Sequence, residues 1–190
     1  MIKCPDNAYL INELIKDFKF TKGAELGVRR GEFSAYLLQE NPELKMSCVD
    51  LWGESPLLNE THAHDSNYLR FIENTAEYKS RVFEYRMVLD DGANKHAEKE
   101  LDFVFIDATH TYDAVKNDFN KWKPKVCQGG LISGHDYHYA FDNGGVVKGV
   151  QEFCPTIKLS NSIDESLALL KAKEDIVDLV STCWFIWNVS

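Results

Sequence analysis

Two hydrophobic periods alternate along this chain. Short apolar runs, GAELGV (23–28), LKMSCVD (44–50), RVFEYRMVL (81–89), LDFVFI (101–106) and GGLISGHDY (129–137), have the length and continuity of buried strands. Between them the apolar residues recur at helical spacing. Leu10, Ile11, Leu14, Ile15 and Phe18 share one face of a helix predicted from Pro5 to Phe18. EFSAYLLQE (32–40), Tyr68 to Ser80, TYDAVKNDFNKW (111–122) and GGVVKGVQEF (144–153) predict further helices. Asn41-Pro42 and Pro124 stop two of these, because proline disfavours a helical residue before it. TIKLS (156–160) and TCWFIWNV (182–189) predict the last strands, with a helical piece between them. WGESPLLNETHAHDSN, which carries His62, His64 and Asp65, reads as a polar loop, and DDGANKHAEKE as a turn.

Strands that alternate with helices predict an α/β fold: a mostly parallel, doubly wound, Rossmann-like sheet of seven strands with helices on both faces. In such a sheet ligands bind outside the carboxyl ends of the strands. The residues predicted there are Glu25 with Gly27, Asp50, Asp90-Asp91, Asp107 with His110, and His135-Asp136. Turn and cap chemistry accounts for one or two acids after strands. An acid after each of the first five strands marks that edge as the working face.

Length and composition narrow the picture. At 190 residues a single domain is expected, read here as an N-terminal helical extension (1–20), a lid or a dimer contact, and a main domain (21–190). A net charge of −9 argues against nucleic acid or an anionic membrane as partner, since both need a basic footprint. The five cysteines are scattered and never form a C-x-x-C pair, which fits buried thiols in a reducing compartment. The N-terminus has no basic-then-apolar leader pattern, and no run approaches 18 apolar residues. A cytoplasmic location is therefore expected.

In ELGVRRGEFS, Gly27 and Gly31 open a helix. A dinucleotide site would want G-x-G-x-x-G, but the third position is Arg29, and Glu25 would repel a pyrophosphate. Glu25 suits a cationic ligand group instead. Asp50, ending the next strand, is placed for the hydroxyls of a ribose. An acid for an ammonium, glycines for close approach and an acid for a ribose together fit S-adenosylmethionine.

On these residues the chain resembles the class I S-adenosylmethionine-dependent methyltransferases, above all the small single-domain group with macrocin- and mycinamicin-type sugar O-methyltransferases and cephalosporin-hydroxylase-like proteins. The resemblance runs from Gly23 to Phe153 through ELGVRRGEFSAYLL, VDLWG and LDFVFIDATHTYDAVKNDFNKWKPKVCQGGLISGHDY. It implies an antiparallel last strand, Glu25, Gly27 and Gly31 around the methionine part, Asp50 on the ribose, and Trp52 with Asp91, Gly92 and Ala93 at the adenine. It also implies that Asp107 adjoins the cofactor and that its D-x-x-H spacing to His110 supplies a metal ligand and the catalytic base.

Methyl transfer to oxygen needs an in-line acceptor and a group that takes the hydroxyl proton. Asp107 and Asp136, on neighbouring strand ends, can share a hard cation, with His135 beside them. An imidazole in that set suits Zn²⁺ or Mn²⁺ better than Mg²⁺. The expected activity is S-adenosylmethionine-dependent O-methylation of a small molecule, a sugar or natural-product-like acceptor, with His110 as base. The alternatives are an inactive cofactor-binding protein of the same fold, or a nucleotide-sugar or dinucleotide enzyme. Tyr137, His138, Tyr139 and Phe141 are candidates for a wall of the acceptor pocket.

Overall fold

The structure, a computed structural model, describes residues 2–53, 61–138 and 141–189. Its elements in chain order are α1 (Tyr9–Phe18), β1 (Lys22–Leu26), α2 (Glu32–Glu40), β2 (Lys45–Asp50), α3 (Thr61–Thr75), β3 (Val82–Arg86), α4 (Leu89–Ala93), β4 (Leu101–Ile106), α5 (Tyr112–Trp122), β5 (Val126–Gly134), α6 (Gly145–Phe153), β6 (Lys158–Ser160), α7 (Ile163–Lys171), β7 (Ile176–Asp178) and β8 (Cys183–Trp187). They form one sheet in the order β3-β2-β1-β4-β5-β8-β7-β6. The first five strands run parallel, and β8 is antiparallel to both its neighbours.

The apolar run of β4 shows why the sheet is central. Phe103 and Phe105 point to one side, into a core with α1 and α2, where Phe105 stacks on Phe33 at 4.2 Å. Val104 and Ile106 point to the other, into a core with Val115, Phe119 and Trp122 of α5 and Val146 and Val150 of α6. A strand apolar on both faces can only be stable between two layers. Leu10, Ile11, Leu14 and Ile15 of α1 are buried in the same core as Phe103 and Phe105.

Register brings the strand ends level. Glu25 pairs with Cys48 on one side and Phe105 on the other. Beyond the strands, the Gly27 N–H donates to the Val49 carbonyl (2.9 Å), Asp107 to Leu26 (2.8 Å) and His135 to Ile106 (3.1 Å).

Three expectations change. The sheet has eight strands rather than seven, because Ile176–Asp178, inside the segment predicted as helical, pairs between β6 and β8. α3 starts at Thr61, so His62, His64 and Asp65 are helical rather than in a loop; their side chains lie outside the described residues, as do Tyr139 and the side chain of Phe141. The predicted turn after β3 begins as the short helix α4. All five cysteines are free thiols. No described helix is long and apolar enough to cross a membrane.

Phe105 is fully buried at the crossing of β4 and α2. Phe105→Ala is expected to destabilise the fold by about 3–5 kcal/mol, read as a lowered midpoint in urea unfolding. A loss under about 1 kcal/mol would show that the two layers are not packed there.

Candidate functional site

Backbone constraints build the carboxyl edge of the sheet. Gly27 has φ +85°, and a Cβ on it would stand 2.1 Å from the Asp107 carbonyl oxygen, so only glycine lets the end of β1 lie against the end of β4. Gly31, with φ +72°, caps α2, and a Cβ there would meet the Phe71 ring at 2.7 Å. Arg29, Trp52, Asp136 and Thr182 also have positive φ (54°, 39°, 57° and 55°) in the connections just beyond these strands. Such conformations persist only where surrounding contacts enforce them, and they gather at functional edges.

Glu25 is 4% exposed and accepts a short hydrogen bond from the Ser34 hydroxyl of α2. Burial pushes its carboxyl well above the usual range; Ser34 opposes this, while the charges of Asp107 and Asp50 add to it. A buried acid that keeps its proton loses that penalty when a cationic group arrives beside it. Asp50 braces the loop after β1: its carboxylate accepts from the N–H groups of Val28 (2.8 Å), Arg29 (2.9 Å) and Trp52 (2.8 Å). A carboxylate has about four acceptor positions, so about one is left for a ligand hydroxyl.

The adenine side differs from expectation. Trp52 is 2% exposed, packs against Phe71 (4.6 Å) and Tyr68 (5.4 Å), and donates its indole N–H to the Arg29 carbonyl (2.8 Å). It is a core aromatic with almost no ring surface for a ligand. Asp91, Gly92 and Ala93 belong to α4 rather than to an open turn. Gly92 and Ala93 are buried, and a Cβ on Gly92 would stand 2.6 Å from Val49 and 3.3 Å from Trp122. Only Asp91 is exposed.

Asp107, His110, His135 and Asp136 converge beyond the ends of β4 and β5. His110 Nε2 lies 2.8 Å from Asp136 Oδ2 and 3.8 Å from Asp107 Oδ1. His135 Nδ1 lies 3.4 Å from Asp136 and 3.9 Å from Asp107, with its Nε2 3.3 Å from the Thr182 hydroxyl. The neighbouring carboxylates of Asp107 and Asp136 push His110 up to about 9. Burial draws His135 down, but Asp136 and the charge of Asp107 outweigh it and leave it raised. The two histidines hold the Asp136 carboxyl far below the usual carboxylate range.

Ligand atoms of Asp107, His110 and Asp136 lie within 4.8 Å of one another, a set able to hold a metal ion. The expected set was Asp107, His135 and Asp136; His110 also meets the two carboxylates, with His135 3.4 Å from Asp136, so either imidazole stands where it can be the nitrogen donor. Two carboxylate oxygens and an imidazole suit Mn²⁺ or Zn²⁺. Sequence reasoning missed Ser34, Thr182 and Asn7, whose side-chain amide stands 3.5 Å from Asp107 Oδ2. Asn7 is 100 residues away in the chain, and no local pattern signals it.

A family model described as "Methyltransferase domain" matches residues 24–137, a span from β1 to just beyond β5. No curated protein matches the chain in sequence. Among solved structures, the chain is similar to a provisionally assigned caffeoyl-CoA O-methyltransferase from Staphylococcus aureus (15% identity, TM-score 0.64, 98% of this chain and 85% of that one). It is also similar to a cofactor-bound protein from MTB (15%, 0.60, 80% and 68%). A third is an S-adenosylmethionine-dependent O-methyltransferase from Thermotoga maritima (16%, 0.56, 80% and 51%). The chain spans only 35% and 46% of the length of two further matches. At these identities the likeness establishes the shared fold.

The His110–Asp136 pair carries a signed pH dependence. A histidine raised from 6.5 to about 9 contributes stability that is full below 6.5 and is lost as pH rises through 9. A depressed aspartate contributes above its ordinary 3.8 and loses that contribution as pH falls below it. With chelator present, His110→Ala is therefore expected to lower the urea midpoint most near pH 5 to 6, with the gap closing above about pH 9. A gap constant from pH 5 to 10 would contradict the pairing.

Proposed function

The chain belongs to the methyltransferase-domain family, and on that premise we propose that it transfers a methyl group from S-adenosylmethionine to a hydroxyl of a small molecule, a sugar or natural-product-like acceptor. The observation that carries this reading is the meeting of Asp107, His110 and Asp136 at the same sheet edge as Glu25, Gly27 and Asp50. A deprotonating centre and a binding site for a cationic nucleoside then share one rim.

Each residue has a definable task. Glu25, whose pKa burial raises, receives the ammonium of the methionine part, which favours its ionised form. Gly27 lets the backbone approach that part, and Gly31 starts the helix beside it. Asp50 offers its remaining lone pair to a ribose hydroxyl. S-adenosylmethionine supplies a methyl group on a positively charged sulfur. Asp107 lies beside the β1 turn, where it would help to orient the acceptor.

The donor set fits a divalent cation held by Asp107 and Asp136 with one imidazole nitrogen from His110 or His135. Such a cation, when bound, lowers the pKa of an acceptor hydroxyl. In the ion-free chain His110 holds a proton between two carboxylates. A cation bound by these residues would disfavour that proton, and a neutral His110 would be the group able to accept one from the acceptor. In the reading favoured here His110 is the base and His135 the nitrogen donor.

Calorimetry should detect binding of S-adenosylmethionine, and a panel of hydroxylated acceptors with Mn²⁺ should yield S-adenosylhomocysteine. His110→Ala should cut kcat by about 100-fold or more, with cofactor and Mn²⁺ affinities near wild type. Loss of Mn²⁺ affinity in that variant would make His110 the ligand instead, and unchanged turnover would remove it from the chemistry. Cofactor binding without turnover on any acceptor would favour the inactive-binder reading, and no cofactor binding would overturn the proposal.

Glu25 adds a separate prediction. If its proton leaves on cofactor binding, affinity should rise with pH and calorimetry in buffers of different ionisation heat should register proton release. Glu25→Gln should abolish both effects, and their persistence in that variant would exclude Glu25 as the partner.

A further inference from the structure

The amino ends of the central strands, opposite the rim, carry a second hollow. The connection from β3 to β4 has only the five-residue α4 to cover the sheet, and a pocket of about 240 Å³ opens beside it. Its floor is aromatic, with Phe83, 45% exposed, and Tyr85 from β3. Lys22 at the start of β1, Lys45 at the start of β2 and Lys95 after α4 stand around it. Glu100 also lines it and is drawn to Lys22 at 3.8 Å. Three ammonium groups facing one carboxylate make a local positive patch in a chain of net charge −9.

His96 forms part of the same wall and is 7% exposed. Neither of its ring nitrogens makes a hydrogen bond; Nδ1 stands 3.6 Å from Glu100, beyond bonding distance. Its ring meets Tyr85 edge-on at 5.7 Å and Trp122 at 5.5 Å. Burial draws its pKa down, against the opposing pull of Glu100. A buried polar group left without a hydrogen bond is unusual in a folded protein.

We propose that this pocket binds a small flat oxyanion, an aryl carboxylate or aryl phosphate, with its ring on Phe83 and Tyr85 and its charged end among Lys22, Lys45 and Lys95, against the wall that His96 helps to form. Aromatic floor and cationic rim are complementary to the ring and the charge of that class. The volume, below the roughly 300–1,000 Å³ of drug-sized sites, suits a single ring. The site is independent of the methyl-transfer reading, since the two lie at opposite ends of the same strands.

Benzoate and phenyl phosphate serve as probes, followed by calorimetry and by the His96 ring resonances in NMR, with neutral benzyl alcohol as control. Saturable binding of either anion with displacement of the His96 resonances is expected, and its absence for both would overturn the proposal. The double variant Lys45→Glu/Lys95→Glu, changed only at exposed side chains, should weaken binding about tenfold or more, the worth of about 1.4 kcal/mol. Binding unchanged in that variant but lost in His110→Ala would place the anion at the rim and overturn the proposal, as would equal binding of benzyl alcohol.

Discussion

Crowding of negative charge at the carboxyl edge of the sheet is the constraint on which the rest of this structure turns. Parallel register puts the ends of β1, β4 and β5 side by side, and each carries or precedes an acid: Glu25, Asp107 and Asp136. Like charges this close, partly withdrawn from water, cannot all remain ionised without compensation. The fold compensates in two ways. Glu25 is buried under α2, which raises its pKa and disfavours its charge, and His110 and His135 stand against Asp136 at 2.8 and 3.4 Å. The close approach of Gly27 to Asp107 and the positive φ of Asp136 serve the same arrangement, because they set where the acids point.

An edge held together by exchangeable protons is also an edge able to exchange them for other cations. On the proposed reading Glu25 meets a positive ligand group, and Asp107, His110 and Asp136 form a set able to hold a metal ion. Family membership and the shared methyltransferase fold agree with a ligand of that charge. The proposed chemistry follows from the same imbalance: a sulfonium nucleoside neutralises one acid, and the other two organise the group that takes the acceptor's proton. The opposite edge is its electrostatic inverse, with lysines around an aromatic hollow.

Much of this was legible in the sequence because it rests on strong local signals. β1, β2, β4 and β5 are apolar runs that end at or near an acid, and α5 (Tyr112–Trp122) falls on the predicted helix 111–122. Where sequence reading failed, the deciding contacts were long-range. The strand Ile176–Asp178 has three residues, too few for a period, and exists because β6 and β8 flank it. Trp52 follows Asp50 in the chain, yet α3 folds over it and makes it core. The spacing from Asp107 to His110 was visible, but which histidine would lie nearer Asp136 depended on the backbone turn at that residue. The burial of α1 against the sheet, and Asn7 beside Asp107, join positions that no motif connects.

The most direct test of the shared rim is a crystal structure grown with S-adenosylmethionine and Mn²⁺, with anomalous scattering recorded for the metal. The expected result is a manganese peak between Asp107 and Asp136, the cofactor ammonium at Glu25, and the sulfonium methyl directed towards the His110 side of that peak. A cofactor seated away from Glu25 and Asp50, or its methyl pointing away from the acid–histidine cluster, would contradict it.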